Sequence, residues 1–205
     1  MFLATAAATR YGPVFFLALY TGMRRSELLG LRWTAVDLDA KTVSVVETLQ
    51  RILGKGMMTL QPKTAKSRRL INLPAAAAAL LNGLKVKQKE QRQFLGLEWQ
   101  ESDYVFCLAD GRPYSPDKVS LAFAEVIKKA GLPHIRLHDL RHTHATMMMA
   151  QGVNPKTVAE RLGHSSVVIT LDTYSHVLPG LQEEAALKFE EGFRKTTKQQ
   201  AVEES

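Results

Sequence analysis

The chain has 205 residues, of which 45 % are apolar and 23 % are charged, with a formal net charge of +7. This composition excludes a mostly disordered chain and suits one ordinary domain with an appendage, or two very small domains. The longest apolar stretch, Val14 to Tyr20, is far shorter than the roughly 20 residues of a membrane span, and no basic segment precedes the apolar N-terminus as in a signal peptide. We therefore expect a cytoplasmic protein with no membrane partner.

The first part of the chain predicts two helices followed by a small sheet. Apolar residues recur at helical spacing from Tyr11 to Tyr20, and Gly22 suits the left-handed position at a helix end. A second helix is predicted to begin near Arg25. The pattern changes to alternating valines between Lys41 and Gln50, and a second extended run spans Leu70 to Leu73. We expect an antiparallel sheet of two or three strands.

The rest of the chain predicts helices separated by short turns. Helices are predicted to begin at Pro74, Ser115, His138 and Asn154. Proline or a capping residue marks three of these starts, at Pro74, Ser115 and Asn154. A short element is expected over residues 166–176, and Pro179-Gly180 marks a break before an amphipathic tail helix. The predicted fold class is α+β and mostly helical, with a small antiparallel sheet and a C-terminal tail helix.

Four segments carry side chains suited to chemistry at a phosphate. The first is Thr21-Gly22-Met23-Arg24, with Glu27 three residues after the arginine, and the second is Lys63 between two predicted strands. The third places His138 and Arg141 on one helix face. The fourth is Gly163-His164, which is followed by Tyr174 ten residues after the histidine. Two guanidiniums can bind the nonbridging oxygens of a phosphate, a histidine and a lysine can move protons, and a phenol can act as nucleophile. These groups suit phosphoryl transfer, which depends mainly on positioning and electrostatic stabilisation.

The sequence favours neither a metal nor another cofactor. His138 and His142 stand four residues apart, but Asp139 replaces the glutamate expected in a catalytic zinc helix and no third ligand is evident. The single cysteine, Cys107, excludes a cysteine-rich zinc site and an internal disulfide. His142 and His144 are expected to pack or to form hydrogen bonds rather than to catalyse.

The same four segments, in this order, resemble the tyrosine recombinase (phage integrase) family, specifically its C-terminal catalytic domain. The resemblance runs from about Tyr11 to Leu178 and rests on TGMRRSELLGLRW, HDLRHTHAT and LGHSS with TYSHV. It implies a catalytic domain over residues 1–179 and a C-terminal helix and polar tail over residues 180–205. It also implies that the core-binding and arm-binding domains, which precede this domain in the family, are absent here.

The resemblance implies a role for each candidate residue. The scissile phosphate of a double-stranded attachment site would be bound by Arg24, Arg141 and His164, and Glu27 would orient the site through Arg24 or a neighbour.

The same resemblance implies the groups that react. Lys63 would protonate the 5′-hydroxyl leaving group, with Lys66 as the alternative lysine, and His138 would be the acid/base partner. Tyr174 would attack and hold a 3′-phosphotyrosine. Further DNA contacts are expected from the basic run that contains Lys66, Arg68 and Arg69.

The function implied is site-specific recombination that integrates or excises a phage or mobile element. The resemblance also implies a homo-tetramer on DNA in which C-terminal tails are exchanged between protomers. Two alternatives stay open: a type IB topoisomerase, which uses similar chemistry, and a helix-turn-helix DNA-binding regulator without catalysis, suggested by the turn and short helices between Val153 and Ser175. The regulator leaves Arg24, Lys63 and the sheet without a role.

Overall fold

The computed structural model describes residues 1–61 and 68–174, and beyond them only residues 186, 187, 189, 190, 193 and 194. Lys63 and Lys66 lie outside the described residues, as do the predicted Pro179-Gly180 break and most of the predicted tail helix. Tyr174 is described as part of a helix, without its side chain.

Helices make up most of the described structure. Their bounds are α1 Phe2–Ala7, α2 Gly12–Thr21, α3 Arg25–Leu29, α4 Ala75–Leu95, α5 Pro116–Lys129, α6 Asp139–Ala150, α7 Pro155–Leu162 and α8 Val167–Tyr174. The strands are β1 Val36–Asp37, β2 Thr42–Val45, β3 Thr48–Ile52, β4 Gly56–Leu60 and β5 Arg69–Asn72. The α+β, mostly helical fold class is thereby confirmed.

The strands form two separate antiparallel sheets, which corrects the expectation of one sheet of two or three strands. Strands β1, β2 and β5 pair in that order, with Val43 opposite both Val36 and Ile71. Strands β3 and β4 form a hairpin of their own. Gly54 and Gly56 both adopt positive φ and turn the chain back there. The valine-rich run from Lys41 therefore supplies two strands of different sheets.

The main core lies between the three-stranded sheet and the helices around it. Its fully buried large side chains include Phe15 and Leu17 of α2, Phe123 of α5, Ile71 of β5 and Leu81 of α4. Each such side chain stabilises the fold by about 1.5–3 kcal/mol relative to an exposed one.

Helix α1 is not predicted by the sequence patterns above. It has six residues and is held by tertiary packing, with the Phe2 ring edge-on to the Phe123 ring at a centroid distance of 5.8 Å.

A second, smaller core joins α6 to α7. It contains Ala145 and Met149 of α6 and Val158 and Leu162 of α7. It brings the C-terminal end of α7 close to the C-terminal end of α2.

Among the described residues, no helix has the length and apolar character needed to cross a membrane.

Gly22 makes the junction of these helices possible. It is the left-handed C-terminal cap of α2, with φ 66°. A Cβ atom at this position would lie 2.6 Å from Leu162 Cδ2 and 2.7 Å from His144 Cδ2. The backbone conformation and the close approach of α6 and α7 therefore both require glycine.

We predict that Gly22→Ala lowers the free energy of unfolding by about 2–4 kcal/mol, because it adds left-handed backbone strain to a steric overlap. Gly54→Ala is the matched control, since Gly54 has φ +76° and nothing within 4 Å of the added carbon, so it carries only the strain of about 1–2 kcal/mol. Urea denaturation of both variants measures the difference. Equal losses would show that the packing around Gly22 is looser than described.

Candidate active site

Four of the predicted site residues lie where helices begin or end, and the fold brings these ends together. Arg24 precedes α3, His138 precedes α6, Arg141 lies in the first turn of α6, and His164 follows the glycine cap of α7. Arg24 and Arg141 bind backbone carbonyls at these helix ends. The chain segments are far apart in sequence, so this convergence is a property of the tertiary fold.

Arg141 ties two helix ends together. Its side chain is buried, with Nη1 donating to the Gly22 carbonyl at 2.8 Å and Nη2 donating to the Leu162 carbonyl at 2.7 Å. These carbonyls belong to the C-terminal ends of α2 and α7, where the helix dipole favours a cation. The guanidinium is thus held on two sides before any ligand binds.

Arg24 is held at one edge and open at the other. Its Nη1 donates to Glu27 Oε1 at 2.8 Å, and its Nη2 lies 3.5 Å from the Gly163 carbonyl oxygen. The side chain is nevertheless 36 % exposed. Arg24 therefore has a fixed direction and an accessible face.

Glu27 is a buried carboxylate that accepts four hydrogen bonds. Two come from Arg24, through its backbone N–H and Nη1, and two come from Arg69, whose Nη1 and Nη2 lie 3.0 and 2.9 Å from the two carboxylate oxygens. Burial alone would raise the pKa of this carboxyl. The hydrogen bonds and charges of Arg69 and Arg24 outweigh burial and lower the pKa below its ordinary value, so Glu27 is ionised at neutral pH.

The two candidate histidines have lowered pKa values. Burial, and then the charges of Arg141 and Arg24, lower the pKa of His164 to about 4. Burial, then His142 and Arg141, lower the pKa of the more exposed His138. Both rings are therefore neutral at pH 7 in the unliganded protein. The His138 and His142 rings stand edge-on with centroids 5.2 Å apart.

A hydrogen bond connects His164 to the helix that carries the candidate nucleophile. His164 Nδ1 lies 2.8 Å from the hydroxyl oxygen of Thr170, a fully buried residue of α8. Tyr174 is the last residue of α8, one turn beyond Thr170, which is about 6 Å along the helix axis. The backbone of Tyr174 is thus anchored near His164 through α8.

The two described residues among the expected DNA contacts differ in accessibility. Arg68 is exposed and donates to Gln61 Oε1, so it stays accessible to a ligand. The side chain of Arg69 is only 6 % exposed and points inward to Glu27. This geometry favours a role inside the protein for Arg69 over the expected DNA contact.

The sequence motifs do not indicate Arg161, which joins three elements beside the site. Its Nη1 and Nη2 donate to the carbonyls of Asn72 and Tyr20, each at 3.1 Å, and its Nε donates to Nε2 of His144 at 3.1 Å. His144 Nδ1 lies 2.9 Å from the Leu19 carbonyl oxygen. In sequence, Arg161 is simply a basic residue in the last turn of a helix, so no local pattern marks it.

Where the structure describes the chain, no three histidine, cysteine, aspartate or glutamate side chains are grouped so that they could hold a metal ion. The positive groups of the site are instead stabilised by carbonyl oxygens and by Glu27. An arrangement of fixed cations around accessible space suits an anion such as a phosphate diester.

The family profile and the similar proteins of known sequence agree on one family for this chain. The profile of the phage integrase family matches residues 2–180. A XerC-like tyrosine recombinase of Caldanaerobacter subterraneus subsp. tengcongensis is 33 % identical over 83 % of this chain and 46 % of the relative. The ICEBs1 integrase of Bacillus subtilis is 33 % identical over 86 % of this chain and 48 % of the relative. The chain thus spans about half the length of these curated relatives.

Solved structures share the fold at lower sequence identity. The integrase of transposon Tn1549, in complex with circular intermediate DNA, superposes with a TM-score of 0.79 at 23 % identity, covering 92 % of this chain and 64 % of that one. XerA recombinase gives a TM-score of 0.69 at 23 % identity, covering 92 % of this chain and 61 % of that one.

We predict that acidification destabilises the protein through His144. Burial, then the Arg161 charge, lower its pKa to about 4 in the folded state, against an ordinary 6.5. Between these pH values the unfolded chain binds a proton that the folded chain does not, so stability falls as pH falls, by about 2–3 kcal/mol from this residue.

Urea unfolding of the wild type and His144→Gln from neutral pH down to about pH 4.5 measures the effect, and the variant should lose less stability on acidification. NMR titration of the His144 ring in the wild type is the direct check. A ring that titrates near its ordinary pKa would contradict the buried, neutral state.

Proposed function

The chain belongs to the phage integrase family, and on that premise we propose that it is the catalytic part of a site-specific DNA recombinase, which cuts and rejoins double-stranded DNA through a 3′-phosphotyrosine. One observation carries the proposal: Arg24, Arg141 and His164 come from three distant segments, yet they lie in one cluster. Helix-end carbonyls and Glu27 hold the two arginines, Thr170 holds His164, and both arginine charges act on the His164 ring.

The arginines would bind and neutralise the scissile phosphate. Arg24 and Arg141 would contact its nonbridging oxygens, with His164 as a further hydrogen-bond donor. Donors that are already oriented cost little reorganisation when charge builds up on the oxygens in the transition state. Glu27 would orient Arg24 rather than react.

Proton transfer would accompany the attack of Tyr174. Its phenol oxygen forms a bond to phosphorus, and the bond from phosphorus to the 5′-oxygen breaks. His138, neutral at pH 7, would accept the phenol proton, and Lys63, with Lys66 as the alternative, would give a proton to the departing 5′-oxygen. A free 5′-hydroxyl then attacks the phosphotyrosine, releases Tyr174 and restores the DNA backbone.

The DNA partner and the assembly of this chain are proposed by extension from its relatives. The Tn1549 integrase was solved with circular intermediate DNA, which supports attachment sites of a phage or mobile element as the target of this chain. We propose that the chain acts on them in the cytoplasm. Exposed Arg68 would contact the DNA backbone beside the site, with Lys66 two residues before it in sequence. We propose four copies on DNA, with residues 1–179 as the catalytic domain and residues 180–205 exchanged between neighbours.

We predict that Tyr174→Phe abolishes a covalent protein–DNA adduct and leaves DNA binding in place, because it removes only the nucleophilic oxygen. The wild type is incubated with nicked duplexes that carry a randomised core. The nick lets a short fragment diffuse away after cleavage, so the attached strand cannot be religated. Denaturing gels measure the adduct, and sequencing of the trapped strand identifies the preferred site.

Tyr11→Phe is the matched control, since Tyr11 packs edge-on against Tyr114 at 4.8 Å, and it should keep the adduct. DNA binding by a wild-type protein that forms no adduct would instead favour the non-catalytic regulator. An adduct with relaxation of supercoils, but without strand exchange between duplexes, would favour a topoisomerase.

A further inference from the structure

All three guanidinium nitrogens of Arg69 are engaged near the site, and the proposed mechanism gives Arg69 no role. It lies at the start of β5 and is 6 % exposed. Both of its terminal nitrogens bind Glu27, and its Nε donates to the Arg161 carbonyl at 2.6 Å. A bidentate pair of this kind is directional as well as strong.

We propose that Arg69 is a positioning residue of this active site, which anchors the Glu27 carboxylate and, through it, sets the direction of Arg24. The inference rests on the proposed function, because it assigns Arg24 to the scissile phosphate. Arg69 itself would touch neither DNA nor the reacting atoms.

The hydrogen bonds at Glu27 are divided evenly between the two arginines. Each carboxylate oxygen accepts one hydrogen bond from Arg24 and one from Arg69. Glu27 is only 2 % exposed, and a buried carboxylate that loses its partner is strongly destabilising. Arg69 therefore supplies a positive charge that stays beside Glu27. The more exposed Arg24 guanidinium can then bind a ligand without leaving the carboxylate unpaired.

Arg69 also contacts the turn that carries His164. Gly163 has φ +69°, and a Cβ atom there would lie 2.9 Å from Arg69 Nη1 and 3.2 Å from Arg69 Cδ. The Arg161 carbonyl that accepts from Arg69 belongs to the last turn of α7. One side chain of β5 thus fixes Glu27 of α3 and the end of α7 relative to each other.

The charges around Glu27 determine what happens when Arg69 is removed. Arg24 faces it from the start of α3 and Arg69 faces it from β5, with Arg161 of α7 behind Arg69. The ion pair of Arg32 with Glu47, 2.9 Å long, lines a small cavity on its other side. Among the influences that lower the pKa of Glu27, those of Arg69 are the largest, so its removal would shift the pKa of Glu27 upward from that in the wild type.

The test follows single-turnover cleavage of a nicked duplex as a function of pH in Arg69→Gln, Arg69→Lys and the control Arg112→Gln. Arg112 also forms an arginine–carboxylate pair, with Asp110, but it is 58 % exposed and local to a surface turn. Arg69→Gln should cleave at least about tenfold more slowly near pH 6 and recover in part at alkaline pH, as Glu27 regains its charge.

Arg69→Lys should recover much of the rate, because it keeps the positive charge, and Arg112→Gln should match the wild type. Adding Glu27→Gln to Arg69→Gln should remove the new acidic limb of the pH profile, since an amide does not titrate there. DNA affinity should stay within about threefold of the wild type in Arg69→Gln, because Arg69 touches no DNA.

A loss of cleavage that is equal at every pH would overturn the proposal and make Arg69 merely structural. A loss of DNA affinity at an unchanged cleavage rate would overturn it in favour of a DNA contact. NMR titration of the Glu27 carboxyl separates this inference from the proposed function: a higher pKa in Arg69→Gln supports the anchor even if the wild type forms no adduct, and an unchanged pKa refutes it.

Discussion

The buried carboxylate of Glu27 is the interaction on which the rest of the site depends. It caps the start of α3 through the Arg24 backbone N–H and binds the Arg24 guanidinium from the same side. Helix initiation and the direction of the Arg24 side chain, which we propose binds the scissile phosphate, are therefore set by one group. Its 2 % exposure would be costly in free energy without Arg69, which contributes two hydrogen bonds and a buried charge. Stability and function meet at this carboxylate, so its loss would affect both.

The remaining cations are held by the ends of helices. Arg141 binds carbonyls that end α2 and α7, and Arg161 binds the carbonyl of Tyr20 in the last turn of α2. Left-handed glycine caps at the ends of α2 and α7 let the helices approach one another there. The clustered arginine charges contribute, after burial, to the lowered pKa values of His144 and His164. A bound phosphate would offset part of this clustered positive charge, in keeping with the anionic ligand that we propose.

Sequence reasoning succeeded where a feature is local. Periodicity and caps located α2 and α5–α7. The fold brings to helix ends in one region the four residues that short motifs singled out, which are Arg24, His138, Arg141 and His164. It failed where a side chain acts across the fold. Arg69 and Arg161 look like surface basic residues, because no spacing rule reveals partners 42 or 89 residues away. The β3–β4 hairpin was missed because paired glycines resemble a simple interruption, and α1 because its stability comes from packing on Phe123 rather than from a cap.

The central claim is that oriented arginines neutralise the charge of a scissile phosphate, and a charge-neutral substrate tests it most directly. Single-turnover cleavage is measured for the wild type and Arg24→Ala on duplexes with either an ordinary phosphate or a methylphosphonate at the cleaved position, and urea denaturation verifies that both proteins are folded. If Arg24 neutralises the nonbridging oxygens, the deficit of Arg24→Ala on the phosphate should shrink by at least about tenfold on the neutral linkage. An equal deficit on both linkages would contradict the account.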